Sequence, residues 1–406
     1  MNVITRQKRA VRFSAATVAG LSLVTGFVGT SDAGAATAPS IPASAFHFNK
    51  NFSTMSMLKP VAAAGSGKIA FLMPDTQSSV RWVDFDAPML KKAALLAGLP
   101  ASDIIVENAL GSDTTQRTQA QAAITNGAKV IGLTSLDSTT GDAIEQTAKA
   151  AGVATLDYDR LNLGGSANLY VSFNNVRVGE LQGHGLVSCI SSWHVKNPQV
   201  FELEGSPTDN NATLFAQGQN MVLDPIYKAG RYKKVGEQQT PNWDNLQGGR
   251  IFAEALTAHP NINAAVVAND GLDNSVVADL KEDNVKPYTF PTTGQDATVQ
   301  GMQNILTGYQ CGSVYKPIYL EAQAAVTAAL YLRAGLTLPA ALLGGNTIDH
   351  SAKPGHDKAI NIPAVLETPI WVTPANMEKT VVADNFDSAN AICNGIASAC
   401  AKYGIH

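Results

Sequence analysis

From Lys68 onward, short apolar runs alternate with amphipathic stretches, and the pattern occurs twice. In the first run, strands are expected at 68–73, 104–107, 130–133, 154–157 and 169–172. Helices are expected at 87–97, 115–125, 142–150 and about 176–187. Such alternation predicts a parallel sheet with helices on both faces, because a parallel crossover needs about the length of a helix. It starts again at 198–203 and continues with strands at 235–238, 264–268, 288–293 and 313–315. Helices at 246–256 and 273–281 lie between them. Two such runs predict an α/β protein of two similar doubly wound lobes, with parallel sheets flanked by helices, that close on a cleft as a clamshell.

At 406 residues the chain is long enough for two such cores. Asp and Glu (33) outnumber Lys and Arg (29), and no basic tract is interleaved with aromatics. A phosphate backbone is repelled more than attracted, so nucleic acid is excluded as the expected partner.

Residues 1–35 read as a signal peptide. Arg6, Lys8, Arg9 and Arg12 form a basic start, and Ala33-Gly34-Ala35 suits cleavage. The apolar stretch between them, 15–28, is interrupted by Gly20, Ser22, Thr25 and Gly26 and is too short for a membrane span. No cysteine lies nearby, so the expectation is general export to the periplasm without a lipid anchor. Residues 36–66, rich in Ala, Pro, Ser and Asn, read as an extended leader. An exported chain can hold disulfides, and Cys189, Cys311, Cys393 and Cys400 are compatible with two bridges. No C-x-x-C pair points to zinc. The sequence selects none of the three possible pairings; Cys189 with Cys311 and Cys393 with Cys400 is the one expected.

Open α/β sheets bind ligands beyond the carboxyl ends of their strands. Gly205-Ser206-Pro207-Thr208-Asp209-Asn210-Asn211-Ala212 follows the strand 198–203 and precedes a helical pattern through Leu214, Phe215 and Val222. Gly, Ser and Pro make the turn, and Asp209 or Asn210 suits a helix N-cap. Taken alone, a cap and a turn account for this stretch. Its company changes the reading. Arg81-Trp82 follows the first strand, Asp159-Arg160 the strand 154–157, and Trp243 lies in a loop before a helix. Asn269-Asp270 ends 264–268, Gln295-Asp296 ends the next strand, and Lys316 follows 313–315. Planar hydrogen-bonding groups with two tryptophans at successive strand ends suit a pyranose. Asp, Asn and Arg bind its hydroxyl rim in plane, while aromatic rings cover its C–H faces.

From about Lys68 to Phe386 the chain resembles the type I periplasmic sugar-binding proteins of ABC transporters, in the branch that binds D-xylose. The matching stretches include Arg81-Trp82, Tyr158-Asp159-Arg160, Tyr170-Val171-Ser172-Phe173 and Val178-Gly179-Glu180-Leu181-Gln182. Ser206 to Phe215, Trp243, Asn269-Asp270, Gly294-Gln295-Asp296-Ala297 and Val314-Tyr315-Lys316-Pro317 complete the set. The resemblance implies a monomeric, non-catalytic receptor without a cofactor or metal, which delivers a monosaccharide, D-xylose first, to an ABC permease. It assigns sugar binding to Arg81, Trp82, Arg160, Asp209, Asn211, Trp243, Asn269, Asp296 and Lys316, with Trp82 and Trp243 sandwiching the ring. It also implies three chain crossings, near Asn174, Lys316 and Gly345. The first lobe is then 67–173 plus 316–345, and the second 174–315 plus 346–406, holding all four cysteines. The chain departs from the family at Asn174, where Asp is common, and at Gln239, where a tryptophan is expected. Basic residues usual after Trp82 are also missing. These departures bear on which sugar fits.

Other classes fit less well. Asp209 and Asp296 resemble a glycosidase pair, but nothing in the sequence raises either pKa. Gly-x-Ser-x-Gly is absent, and Gly65-Ser66-Gly67-Lys68 lacks the spacing of a phosphate loop. A transcription regulator would need a DNA-binding domain where the signal peptide stands. His350 and His356 flank Lys353-Pro354-Gly355 as an ordinary polar loop, and the sequons at Asn51 and Asn211 read as chance matches. A receptor for a membrane chemosensor would use the same clamshell.

Overall fold

The computed structural model describes residues 39–349 and 361–406. The expected signal peptide, His350 and His356 lie outside the described residues. The first run forms β1 (Lys68–Met73), β2 (Ile104–Asn108), β3 (Ala128–Leu133), β4 (Ala154–Tyr158) and β5 (Leu169–Phe173). The second forms β6 (Gln199–Glu204), β7 (Lys233–Gln239), β8 (Ala264–Val267), β9 (Thr293–Gln295) and β10 (Gly312–Tyr315). Three further strands are β11 (Thr347–Asp349), β12 (Asn361–Glu367) and β13 (Ile370–Val372).

The first lobe is built on a seven-stranded sheet in the order β11-β12-β5-β4-β3-β1-β2. It is parallel except for the β11–β12 pair. In β1 every residue from Ile69 to Met73 is buried, as a central parallel strand with both faces covered requires. The second lobe has two three-stranded sheets, β7-β6-β8 and β13-β10-β9. The break between β8 and β9 has a local cause. Pro291 has no N–H to give, and the Thr293 hydroxyl, not a main-chain group, bonds Val267 N and O.

Four expectations need correction. The strand expected at 288–293 begins only at Thr293, because Pro287 and Pro291 flank a turn in which Tyr288 adopts φ 62°. The leader is not extended. It makes helical turns at Ala43–Phe46, Met55–Leu58 and Lys59–Ala64, and buries Phe52, Met55, Leu58 and Val61 in the first-lobe core. At roughly 1.5–3 kcal/mol for each large apolar side chain buried, the segment is an integral part of that lobe. The third crossing lies at Thr368-Pro369, not near Gly345, because β12 pairs in parallel with β5 before β13 pairs with β10. Residues 346–349 and 361–367 therefore belong to the first lobe, not the second. The other crossings fall at Asn174 and at Lys316-Pro317, between β5 and the helix Asn175–Ser192 and between β10 and the helix Ile318–Arg333.

Two features fix the second lobe around the cleft. The helices Asn175–Ser192 and Asn210–Lys228 cross backbone to backbone at Gly179 and Gly218. A Cβ at Gly179 would stand 1.9 Å from Phe215 O, and one at Gly218 2.0 Å from Val176 O. Disulfides join Cys189 to Cys311 and Cys393 to Cys400.

Candidate functional site

Side chains capping the helices after β3, β6 and β8 come from Asp137, Asp209 and Asn269, each bonding an N–H of the first turn. Two of them, Asp209 and Asn269, also face the cleft, so capping and lining are done by the same residues. Trp243 follows β7 and packs over the end of β6. Gly205 makes room for it, since a Cβ there would lie 2.0 Å from the indole.

All nine residues assigned by the resemblance line one narrow cavity between the lobes. Ser79, Asp159, Phe215 and Gln295 complete its wall. Asp159 and Gln295 were visible as polar groups at strand ends but not as site residues. Ser79 gave no signal, and Phe215 read only as a helix residue.

Asp159 is the hub. It accepts from Arg81 Nη1 at 2.5 Å, stands 3.4 Å from Lys316 Nζ, and takes Asn211 Nδ2 on its carbonyl (2.9 Å) and its carboxylate (3.2 Å). Burial opposes its ionisation, but Arg81, Lys316 and Arg160 outweigh burial and hold the carboxyl at about 2. Arg81, 1% exposed, is held on the other side by Asp86 at 2.7 Å and Glu321 at 2.6 Å. Of its five N–H groups, one on Nη1 remains for a molecule in the cavity. Arg81 thus acts chiefly as a strut. Both Arg81 and Arg160 lie over the Trp82 ring, 4.5 and 5.3 Å from its centroid.

The lobes meet across the cleft in a closed arrangement. Arg160 Nε pairs with Asp209 Oδ2 at 3.0 Å, and Ser79 Oγ donates to Asp296 Oδ2 at 2.8 Å. Asn269 Nδ2 donates to Ser78 O at 3.3 Å and Asn245 Nδ2 to Gln77 O at 3.1 Å. Asp209 Oδ2 also accepts from Trp243 Nε1 at 3.0 Å, and Lys316 Nζ lies 3.6 Å from Asp296 Oδ1. Each cation at the cavity is therefore already paired: Arg81 with Asp86, Asp159 and Glu321, Arg160 with Asp209, and Lys316 with Asp159 and Asp296. Asp159, Trp243 and Asp296 adopt φ of 61°, 55° and 89°, strained backbone that gathers at binding sites. Beneath the loop of Asp296, burial raises Asp270 to about 7 although Ser313, Gln310 and Thr298 all donate to it.

Two α/β lobes with three crossings and an ion-paired, aromatic-walled cavity between them define a clamshell receptor for a small polar ligand. The chain belongs to the periplasmic binding proteins, in their type I sugar-binding class: residues 69–337 match the family model described as periplasmic binding protein domain. It is 32% identical over 335 residues to the D-xylose-binding periplasmic protein of Escherichia coli (strain K12), spanning 82% of this chain and 95% of that one. It is 28% identical over 350 residues to a multiple sugar-binding periplasmic receptor of Rhizobium radiobacter, with 82% and 94% covered. In fold it is similar to a carbohydrate-transporter solute-binding protein from Chloroflexus aurantiacus solved with D-glucose. There the TM-score is 0.69 at 24% identity, over 80% of this chain and 97% of that one. The family consists of solute-binding proteins, not enzymes, and these curated relatives are periplasmic. Among the described residues, no helix is long and apolar enough to cross a membrane.

Proposed function

We propose that this chain captures a neutral monosaccharide, D-xylose first among the candidates, between its lobes and hands it to an ABC permease in the periplasm. The observation that carries the reading is the cavity: walled by both lobes, lined by ion-paired and amide side chains, and faced by Trp82, Trp243 and Phe215. With every cation at the cavity already paired to carboxylates, an anionic ligand is disfavoured, and hydroxyls satisfy the outward lone pairs and N–H groups that remain. D-xylose leads because a relative over four-fifths of the chain is named for it. A sugar that bonds both lobes only when they are closed shifts the equilibrium toward closure, and the closed face is what a permease meets.

A thermal-shift screen of the purified protein against D-xylose, ribose, arabinose, glucose and galactose tests this. Ligand at about 100 times its Kd adds about 2.7 kcal/mol. A shift with D-xylose is expected. A shift with another of these sugars alone replaces D-xylose but keeps the receptor, and no shift with any contradicts the reading.

A further inference from the structure

Gln295 ends β9 beside Asp296 and lines the cavity. It is 3% exposed, yet its Oε1 has no hydrogen-bond partner, and its amide makes no side-chain bond among the described residues. Its neighbours differ. Arg81, Asp159, Arg160, Asp209 and Asn211 are all bonded to protein groups. Next to Gln295, Asp296 Oδ1 also lacks a hydrogen bond. Among the described residues, other buried amide oxygens also lack partners, those of Gln219 and Gln310 among them, but of these only that of Gln295 stands at the cavity wall, where a ligand hydroxyl can pair with it.

We propose that Gln295 contacts the bound molecule. Its carbonyl accepts one hydroxyl hydrogen, and its amide nitrogen donates to the oxygen of a neighbouring hydroxyl, so it recognises a neutral vicinal diol. Asp296 Oδ1, beside Lys316 Nζ at 3.6 Å, supplies a second acceptor at the same edge. The inference rests on the monosaccharide reading of the cavity. It makes Gln295 a determinant of specificity, since a site built to bond a hydroxyl rejects the deoxy analogue.

The test is calorimetric titration of the parent, Gln295→Met and Gln295→Asn with whichever screened sugar gives the largest thermal shift. Gln295→Met keeps the shape and removes both polar atoms. It should bind at least tenfold more weakly, while its unliganded Tm equals or exceeds the parent's. Gln295→Asn keeps the amide but withdraws it by one methylene, and should also bind more weakly; it carries the comparison if Gln295→Met does not fold. Affinity within twofold of the parent's overturns the proposal, and a lower Tm at unchanged affinity makes Gln295 a packing residue. A parent that binds none of the sugars overturns instead the monosaccharide reading on which the proposal stands.

Discussion

Asp209 holds three partners at once. Its Oδ1 caps the helix Asn210–Lys228 through Asn211 N, and its Oδ2 takes Trp243 Nε1 and Arg160 Nε. Asp209→Ala removes the cap, worth about 1 kcal/mol, and leaves Arg160 buried without its partner, which costs about 3–5 kcal/mol. Loss of stability is therefore expected together with loss of ligand affinity. Asp209→Asn keeps a capping oxygen and the shape of the side chain. It should unfold closer to the parent than Asp209→Ala does, yet bind sugar at least tenfold more weakly; denaturant melts and titration check both. That the nine residues line one cavity follows from local placement, since most were legible at strand ends, while their assignment to sugar came from the family resemblance. Asp159 was legible as a strand-end acid but not as the hub, since its partners Arg81, Lys316 and Asn211 stand 78, 157 and 52 residues away. The free amide of Gln295 was invisible for the same reason: lacking a partner is a property of the packed structure.

Among the elements, strands and helices of the two runs were legible from periodicity, and the misreadings have physical causes. Prolines delayed β9, and β12 follows a long stretch after the second crossing, so its pairing with β5 depends on tertiary contact. The leader escaped notice because the spacing of three from Phe52 through Met55 and Leu58 to Val61 runs over few residues amid Ser, Ala and Pro, although each finds a place in the core. Glycine spacing carries the most specific consequence. At Gly179 a methyl group would meet the Phe215 carbonyl, a backbone atom that moves only if the helix Asn210–Lys228 moves. Gly179→Ala should cost about 1–3 kcal/mol in a denaturant melt. Because that helix carries Asn211, ligand affinity should fall as well. An unchanged midpoint would show that the two helices can separate freely.

For the whole molecule, buried acids set opposing trends with pH. Asp159 is held at about 2, below its unfolded value of 3.8, so the stability it contributes is present above pH 4 and lost as pH falls toward 2. Asp270 and Glu367 are raised by burial to about 7, above their unfolded values. The folded protein keeps their protons where the unfolded chain has released them, so stability falls as pH rises from about 4 to 7. For Asp270 the change is on the order of a few kcal/mol, at about 1.4 kcal/mol per pH unit. The protein should therefore melt highest near pH 4–5 and lower at pH 7.5, and Asp270→Asn should flatten that fall. A Tm that rises steadily from pH 5 to 7.5 would contradict the assignment.

Closure links these acids to function, since Asp159 ties Arg81 of the first lobe to Lys316 at the second crossing and to Asn211 of the second lobe. The C-terminal segment also spans both lobes. Phe386 stacks on Phe85 at 3.8 Å, and Asp384 accepts from Tyr315 and Tyr319 on either side of that crossing. A ligand that completes the cleft thus acts on the arrangement of the whole chain. The most direct measurement is a calorimetric titration of D-xylose into the parent and Asp209→Asn side by side. The account predicts saturable binding at one site per chain in the parent, weakened at least tenfold in the variant. Parent and variant binding with equal affinity, or no saturable heat in the parent with D-xylose or any other of the screened sugars, would contradict it.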